Sequence, residues 1–344
     1  MKLMHIALIG VAAILLIGLI TIRYFPTSNV AIDTNSIVPE SKIVSGGVGK
    51  DGIPSIDNPK FITVSEATFL KDEDQVIGVN INGEAKAYPL SILVWHEIVN
   101  DEINGLPIAV TYCPLCFTSM VFERTIDGNI VEFGVSGKLY NSNLVMYDRT
   151  SDTLWSQGLG IGISGKYVGY ELKKVPFDLA SWKDWKNAYP NTLVLSQDTG
   201  AIRPYGVDPY GDYYTRDDIL FPLDHRDDRL KPKELVYGID NKAYLMNIFK
   251  DDNIINDSID GKDIVIISIN GLARAFDRSV DGKTLEFILD GNTIKDRGSN
   301  SVWDIEGNAI DGIMKGKKLE RLVLEPSFWF SWVSFHKDTD IYGR

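Results

Sequence analysis

Cysteine and histidine are scarce in this sequence, which has two cysteines and four histidines in 344 residues. So few cysteines exclude a small fold that is held together by a framework of disulfides. They also limit the choice of ligands for a zinc or copper ion, because thiolate and imidazole are the groups that these ions prefer. A metal or redox site is therefore to be sought around the two cysteines.

Positive charge is also in short supply. Lys and Arg number 35 against 47 Asp and Glu, which gives a net charge of −12. This balance argues against nucleic acid as a partner and against docking on anionic lipid head groups. Apolar residues make up 44% of the chain, which excludes disorder for most of it. At roughly 100–200 residues per domain, the length indicates about two domains.

A long apolar run without charge occupies residues 6–22. With residues 3–5 it reaches the ~20 residues that cross a bilayer, and no small-residue cleavage site follows it. We expect residues 1–25 to be an uncleaved transmembrane anchor, with the membrane as a partner and the bulk of the chain outside the cytoplasm. The Ser, Asn, Asp, Gly and Pro content of residues 26–60 indicates a linker.

The rest of the chain contains an internal repeat. Matching blocks occur in the same order in both copies, among them IVNDEING (98–105) with IINDSIDG (254–261) and FERTIDGNIVEF (122–133) with FDRSVDGKTLEF (276–287). We predict two copies of one domain, residues 61–215 with the cysteines and residues 216–344 as a degenerate second repeat.

Short β-branched segments separated by NG, DG and GK turns predict mostly strands. We expect helices only near residues 89–99, 180–188 and 245–255. The predicted fold class is a strand-rich α+β protein, made of two copies of a duplicated domain behind an N-terminal transmembrane helix.

Comparison of the two copies singles out three residues in the first. When the copies are aligned on the IVND and IIND blocks, His96 aligns with Asp252, Cys113 with Ile269, and Cys116 with Leu272. The second copy thus keeps the fold-determining blocks without the thiols or this imidazole. Chemically special residues that the fold does not need are candidates for a functional site.

The CPLC segment from Cys113 to Cys116 admits three interpretations. In a metal site, both thiolates bind one copper or zinc ion and His96 and His336 complete the shell. In a thiol–disulfide oxidoreductase, Cys113 attacks and Cys116 resolves, although no helix is predicted to begin at Cys113 as such a motif favours. In a cell-surface binding module, the cysteines only form a structural disulfide. The sequence leaves open whether the protein is an enzyme.

Two further cofactors are not expected. Phe117 rather than histidine follows Cys116, so the motif for covalent c-type haem is incomplete. Gly160, Gly162 and Gly165 fit the spacing of a nicotinamide-dinucleotide loop, but no apolar strand leads into them.

The chain resembles a prokaryotic family that is catalogued as domain of unknown function 3179. The similar stretches include WHEIVND (95–101), TYCPLC (111–116), GVSGKLYNSNLVMYDRTSDTLWSQ (134–157) and FWFSWVSFHKDTDIY (328–342). His96, Cys113, Cys116 and His336 all fall inside these motifs. The resemblance covers nearly everything after the linker and implies no particular activity. Phe117 differs from the small residue that is usual after TYCPLC.

Overall fold

Strands dominate residues 35–344, the part of the chain that the computed structural model describes. Three α-helices accompany them in these residues: α1 (Leu90–Leu93), α2 (Trp182–Ala188) and α3 (Trp329–Phe335). Single 3₁₀ turns occur at Glu40–Lys42, Gly211–Thr215 and Met246–Phe249.

The strands of the first half are β1 (Val44–Ser45), β2 (Phe61–Ile62), β3 (Gln75–Ile81), β4 (Glu84–Pro89), β5 (Ile98–Ile103), β6 (Leu106–Cys113), β7 (Thr118–Glu123), β8 (Thr125–Ile126), β9 (Asn129–Ile130), β10 (Phe133–Tyr140), β11 (Asn143–Asp148), β12 (Leu154–Ser156), β13 (Ile161–Ser164), β14 (Asp178–Ser181) and β15 (Leu193–Leu195). Those of the second half are β16 (Leu235–Ile239), β17 (Lys242–Leu245), β18 (Asn253–Ile259), β19 (Lys262–Ile269), β20 (Leu272–Asp277), β21 (Ser279–Val280), β22 (Lys283–Thr284), β23 (Phe287–Asp290), β24 (Thr293–Asp296), β25 (Val302–Trp303), β26 (Ala309–Asp311), β27 (Glu320–Leu322), β28 (Glu325–Phe328) and β29 (Asp340–Ile341).

The two halves repeat one arrangement of sheets. The sheet β14-β3-β4-β15, which β2 extends, corresponds to β28-β16-β17-β29, and the pairs β4–β15 and β17–β29 are both parallel. The sheet β5-β6-β7 corresponds to β18-β19-β20, and β10-β11-β12-β13 to β23-β24-β25-β26. Both halves lie in one compact unit, Asn35–Arg344. The domain boundaries at 61–215 and 216–344 therefore stay a prediction.

A tryptophan packs on a glycine at the same place in each half. A Cβ atom on Gly78 of β3 would lie 2.3 Å from the ring of Trp185, and one on Gly238 of β16 would lie 2.0 Å from the ring of Trp332. Each indole N–H also donates to the threonine seven residues further along, at 3.0 Å and 2.8 Å respectively. These contacts hold α2 and α3 against equivalent strands, and only glycine leaves room for the rings.

A buried ion cluster joins the two halves. Arg274 of β20 binds both carboxylate oxygens of Asp178 on β14, each at 2.8 Å, and Arg321 donates to the same carboxylate at 2.8 Å. Burial alone would raise the pKa of Asp178, but Arg321 and Arg274 outweigh it and hold that pKa below its usual value. The charge on Asp178 is therefore part of the native structure.

The helix predicted at residues 89–99 is shorter than expected. It ends after Leu93, and the chain turns through Glu97, whose φ is +58°. Ile98 already belongs to β5, which pairs with β6 along its whole length. Pairing with a neighbouring strand therefore overrides the helical pattern. The segment at 245–255 likewise forms only the 3₁₀ turn Met246–Phe249 before β18, whereas the helix expected near 180–188 is α2.

The predicted fold class needs correction at its N-terminal end. Residues 35–344 form a strand-rich α+β protein, and no helix within them is long and apolar enough to span a membrane. The transmembrane helix that we predicted at residues 1–25 lies outside the described residues, and the structure gives it no support. The location outside the cytoplasm stays a prediction.

Residues 35–60, which we expected to belong to a linker, are attached to the folded body. β1 pairs with β10, and Ile56 forms a parallel bridge with Val99. Arg149 binds Asp51 and Asp57 at 3.0 Å and 3.3 Å. The polar composition of this segment therefore reflects turns and ion pairs on the surface of the first half.

Candidate functional site

The two cysteines lie in the hairpin between β6 and β7. Cys113 ends β6 and faces Thr118, the first residue of β7, whereas Ile269 faces Leu272 in the equivalent hairpin of the second half. Four residues, 114–117, connect the first pair and only two connect the second. The register therefore corrects the sequence alignment: Thr118, rather than Cys116, is equivalent to Leu272, and Cys116 lies in a loop extension that the second half lacks.

Phe117 closes this extension in a conformation that is unusual for a bulky residue. Its φ is +55°, in the left-handed region, where a side chain costs roughly 1–2 kcal/mol that glycine avoids. Its ring packs against Phe328 and Tyr112, with ring centroids 5.5 Å and 5.9 Å apart. These contacts hold the strained turn.

Both cysteines are free thiols and buried. The Cys116 sulfur accepts a hydrogen bond from the side-chain amide of Asn143 at 3.0 Å. Burial would raise the pKa of Cys116, but hydrogen bonds from the Cys113 thiol, Thr118 and Ser331 outweigh it and lower that pKa below its usual value. Hydrogen bonds to sulfur stabilise the thiolate, which is the nucleophilic form of cysteine.

The pKa of Cys113 is shifted in the opposite direction. Burial raises the pKa of its thiol well above the usual value, and the hydrogen bond that it donates to Cys116 raises it further, while the Leu144 backbone works weakly against this. Cys116 is therefore the sulfur that ionises first, and Cys113 is the sulfur that keeps its proton.

A buried polar network fixes Asn143 in place. Asn143 also donates to the side-chain oxygen of Gln157 at 3.0 Å and accepts from the Gly158 N–H at 2.9 Å. Gln157 in turn donates to the Thr111 hydroxyl and the Thr118 carbonyl, at 3.1 Å and 3.0 Å. Both amide hydrogens of Asn143 are thus committed, one of them to the sulfur.

This network belongs to the first half alone. In the aligned strands, Ile267 of β19 stands where Thr111 stands in β6. Ile305 follows Trp303 at the same distance as Gln157 follows Trp155. The second half therefore folds with apolar side chains at these positions, so the polar groups around Cys116 are not a requirement of the fold.

The second half nevertheless completes the site. The N–H of Phe328 donates to the Cys116 carbonyl at 2.9 Å, which ties the end of β28 to the cysteine loop. The Thr118 hydroxyl lies 3.2 Å from that of Ser327 and 3.4 Å from that of Ser331 on α3. A single copy of the repeat would lack these groups.

Glu97 is a buried carboxyl beside the cysteines that the sequence analysis missed. Burial, and secondarily the negative charge of Cys116, raises its pKa to about 8. At neutral pH it is therefore mostly protonated. It lies in the WHEIVND motif and aligns with Asn253 of the second half, which is the signal that could have identified it. Gln157 also differs from its counterpart in the second half, so comparison of the two copies could have identified it too. Asn143 and Ser331 reach the Cys116 sulfur only through the tertiary fold.

The two candidate histidines, His96 and His336, contact groups other than the cysteines. Nδ1 of His96 lies 2.7 Å from the carbonyl of Pro54, and Nε2 lies 2.7 Å from the hydroxyl of Tyr205. Burial lowers the pKa of His96, which favours the neutral ring. His336 stacks on Trp332 at 3.6 Å and donates to the Trp332 carbonyl at 3.1 Å.

Of the four predicted metal ligands, the structure brings Cys113 and Cys116 together, whereas His96 and His336 contact other groups. Within residues 35–344, no group of three or more His, Cys, Asp or Glu side chains is arranged to hold a metal ion. Binding of copper or zinc by these four residues stays a prediction.

Tyrosines cover the cysteine loop. The Tyr213 hydroxyl donates to the Leu115 carbonyl at 2.8 Å from the 3₁₀ turn Gly211–Thr215. Burial raises the pKa of Tyr213 and Tyr210, and the negative charges of Cys113 and Cys116 raise both pKa values further. These tyrosines and the surrounding core bury both sulfurs.

The fold and the site define a strand-rich α+β protein with a buried pair of unequal thiols. A family model described as a protein of unknown function (DUF3179) matches residues 50–339, and the chain belongs to this family. This match confirms the resemblance of the sequence motifs. No curated protein and no solved structure matches the chain.

Proposed function

We propose that Cys113 and Cys116 form a thiol–disulfide redox site in which Cys116 is the attacking thiolate. The observation that carries the proposal is the hydrogen bond from Asn143 to the Cys116 sulfur, inside a polar network that the second half lacks. A structural cysteine needs no such donors. The sequence had suggested Cys113 as the attacking residue, but its raised pKa suits the resolving role better.

In the proposed reaction, the Cys116 thiolate attacks one sulfur of a substrate disulfide. The substrate S–S bond breaks, and its second sulfur leaves as a thiolate. Cys113 then loses its proton and attacks Cys116, which releases the first substrate sulfur. The substrate gains two electrons and becomes two thiols, with one proton from Cys113 and one from solvent. The cysteine pair loses two electrons and becomes a disulfide.

The contacts of His96 favour this role over a copper or zinc site. Both of its ring nitrogens already lie within hydrogen-bond distance of other groups. Binding a metal through His96 would require the contact with Pro54 or Tyr205 to break. The thiol pair needs no third residue for redox chemistry.

A trapping experiment tests the proposal. The full chain and its variants Cys113→Ser and Cys116→Ser are treated with the disulfide 5,5′-dithiobis(2-nitrobenzoate), and the products are followed by released thiol and by intact mass. We expect the wild type to release two thiols and form an internal disulfide. Cys113→Ser should accumulate a mixed disulfide on Cys116, and Cys116→Ser should react at least tenfold more slowly.

Equal rates for the two variants would contradict the assignment of Cys116. Folded wild type that forms no internal disulfide would contradict the redox role itself. Elemental analysis of the same anaerobic wild-type sample distinguishes the alternative, because a stoichiometric metal that is lost in Cys113→Ser would replace the redox proposal with a metal site.

A further inference from the structure

A second candidate site lies on the other face of β6. Tyr112 and Cys113 are neighbours on this strand, so their side chains point to opposite faces of the sheet. On the Tyr112 side a cleft of about 290 Å³ opens between α1 and the loop around Asp208. That volume is near the lower end of the range for small-molecule sites.

Aromatic rings form much of the wall of this cleft. Two rings come from the β6–β7 hairpin, Tyr112 and Phe117, and two come from the segment 205–214, Tyr205 and Tyr214. Two are held in place by contacts already described, since Tyr205 is bound to His96 and Phe117 packs between Tyr112 and Phe328. The ring of Phe117 therefore forms part of the cleft wall, which a small side chain at this position would not do.

Asp208 is the charged residue of the cleft. One of its carboxylate oxygens accepts hydrogen bonds from the Tyr210 N–H at 2.8 Å and the Tyr214 hydroxyl at 3.4 Å. Among the ion pairs of residues 35–344, none involves Asp208, and no Lys or Arg lines the cleft. Asp208 is exposed, and no cation among the described residues neutralises its charge at the mouth of the cleft.

We propose that this cleft binds a small organic cation of the alkylammonium class. Tyrosine and phenylalanine rings attract such cations through their negative faces, and a carboxylate adds a direct charge contact. The net charge of −12 attracts cations to the protein as a whole, and an anionic ligand would meet Asp208 with no compensating cation. The site is distinct from the proposed redox site, because the side chain of Cys113 lies on the opposite face of β6 from Tyr112 and neither cysteine lines the cleft.

Calorimetric titration of the full chain with choline tests the proposal. The neutral isostere 3,3-dimethylbutan-1-ol has the same shape without the charge. We expect saturable binding of choline at millimolar concentrations and at least tenfold weaker binding of the alcohol. Asp208→Asn should weaken choline binding at least tenfold, and Tyr214→Leu should weaken it severalfold.

Asp212→Asn is the matched control. This carboxylate lies in the same loop, does not line the cleft and is already paired with Arg216 at 3.3 Å. We expect Asp212→Asn to bind choline as the wild type does, and Asp208→Asn and Asp212→Asn to unfold at similar denaturant concentrations. No saturable binding to the wild type, equal binding of the alcohol, or equal effects of Asp208→Asn and Asp212→Asn would overturn the proposal.

Discussion

The amide of Asn143, the first residue of β11, donates to the sulfur of Cys116 over 3.0 Å, although the two residues are 27 positions apart in the chain. The donor comes from the β10–β11 hairpin and the acceptor from the β6–β7 hairpin, so two sheets must pack correctly before the bond forms. The bond places a fixed dipole against the sulfur that ionises first.

Asn143→Leu removes this donor, and we expect the pKa of Cys116 to rise. A hydrogen bond to a charged group contributes about 1.5–3 kcal/mol, which corresponds to a rise of roughly one to two pKa units. The absorbance of the thiolate near 240 nm, followed against pH in the Cys113→Ser background, measures the change.

Asn100→Leu is the control for this prediction. Asn100 is also a buried asparagine, but it donates to Asp57 and to the Phe133 carbonyl, away from the sulfur. We expect this variant to lose stability without shifting the thiolate titration. Equal shifts in both variants would show that the pKa responds to general loosening of the fold.

The sequence predicted the local part of this site and missed its long-range part. The β6–β7 hairpin and the special character of Cys113 and Cys116 follow from β-branched patterning and from the internal repeat. The donors Asn143 and Ser331 come from hairpins and helices whose packing no local pattern encodes. His96 was expected beside Cys113 because a helix was predicted through it, and pairing of β5 with β6 removes that helix.

Phe117→Gly and Phe117→Ala form a matched pair. Both variants lose the ring contacts of Phe117 with Tyr112 and Phe328, but only glycine relieves the strain at a φ of +55°. We expect Phe117→Gly to be more stable than Phe117→Ala by about 1 kcal/mol, the reverse of the usual order. Urea unfolding of the two variants measures the difference, and an alanine variant of equal or greater stability would show that the turn is not strained.

Asp178→Asn should destabilise the protein by about 3–5 kcal/mol at neutral pH, because it removes the carboxylate that buried Arg274 and partly buried Arg321 share and leaves Arg274 with Glu306 alone. The pKa of Asp178 is lowered in the folded protein, so its contribution is present above the unfolded pKa of about 3.9 and is lost as pH falls through the folded pKa. We therefore expect wild type and variant to converge in unfolding free energy as the pH drops below about 4.

Asp281→Asn provides the comparison, because its ion pair with Lys317 is exposed and should affect stability little at any pH. A gap between wild type and Asp178→Asn that stays constant from neutral to acid pH would contradict the role of the Asp178 charge.

Gly238→Ala should destabilise the protein by about 1–3 kcal/mol or more, since the added methyl group would overlap the ring of Trp332. Gly78→Ala should have a similar effect through Trp185. Gly49→Ala adds a methyl group with nothing within 4 Å and serves as the control. Thermal unfolding midpoints report all three, and a Gly238→Ala variant as stable as Gly49→Ala would rule out the tight packing of α3.

The central claim is that Cys113 and Cys116 interconvert between dithiol and disulfide. The most direct test equilibrates the full chain in glutathione buffers of graded potential, quenches it with acid and counts free thiols by alkylation and mass spectrometry. We predict a single two-electron transition in the wild type, in which both thiols disappear together, and no internal disulfide in either single serine variant. Two thiols that stay reduced in the folded protein at every potential would contradict the claim.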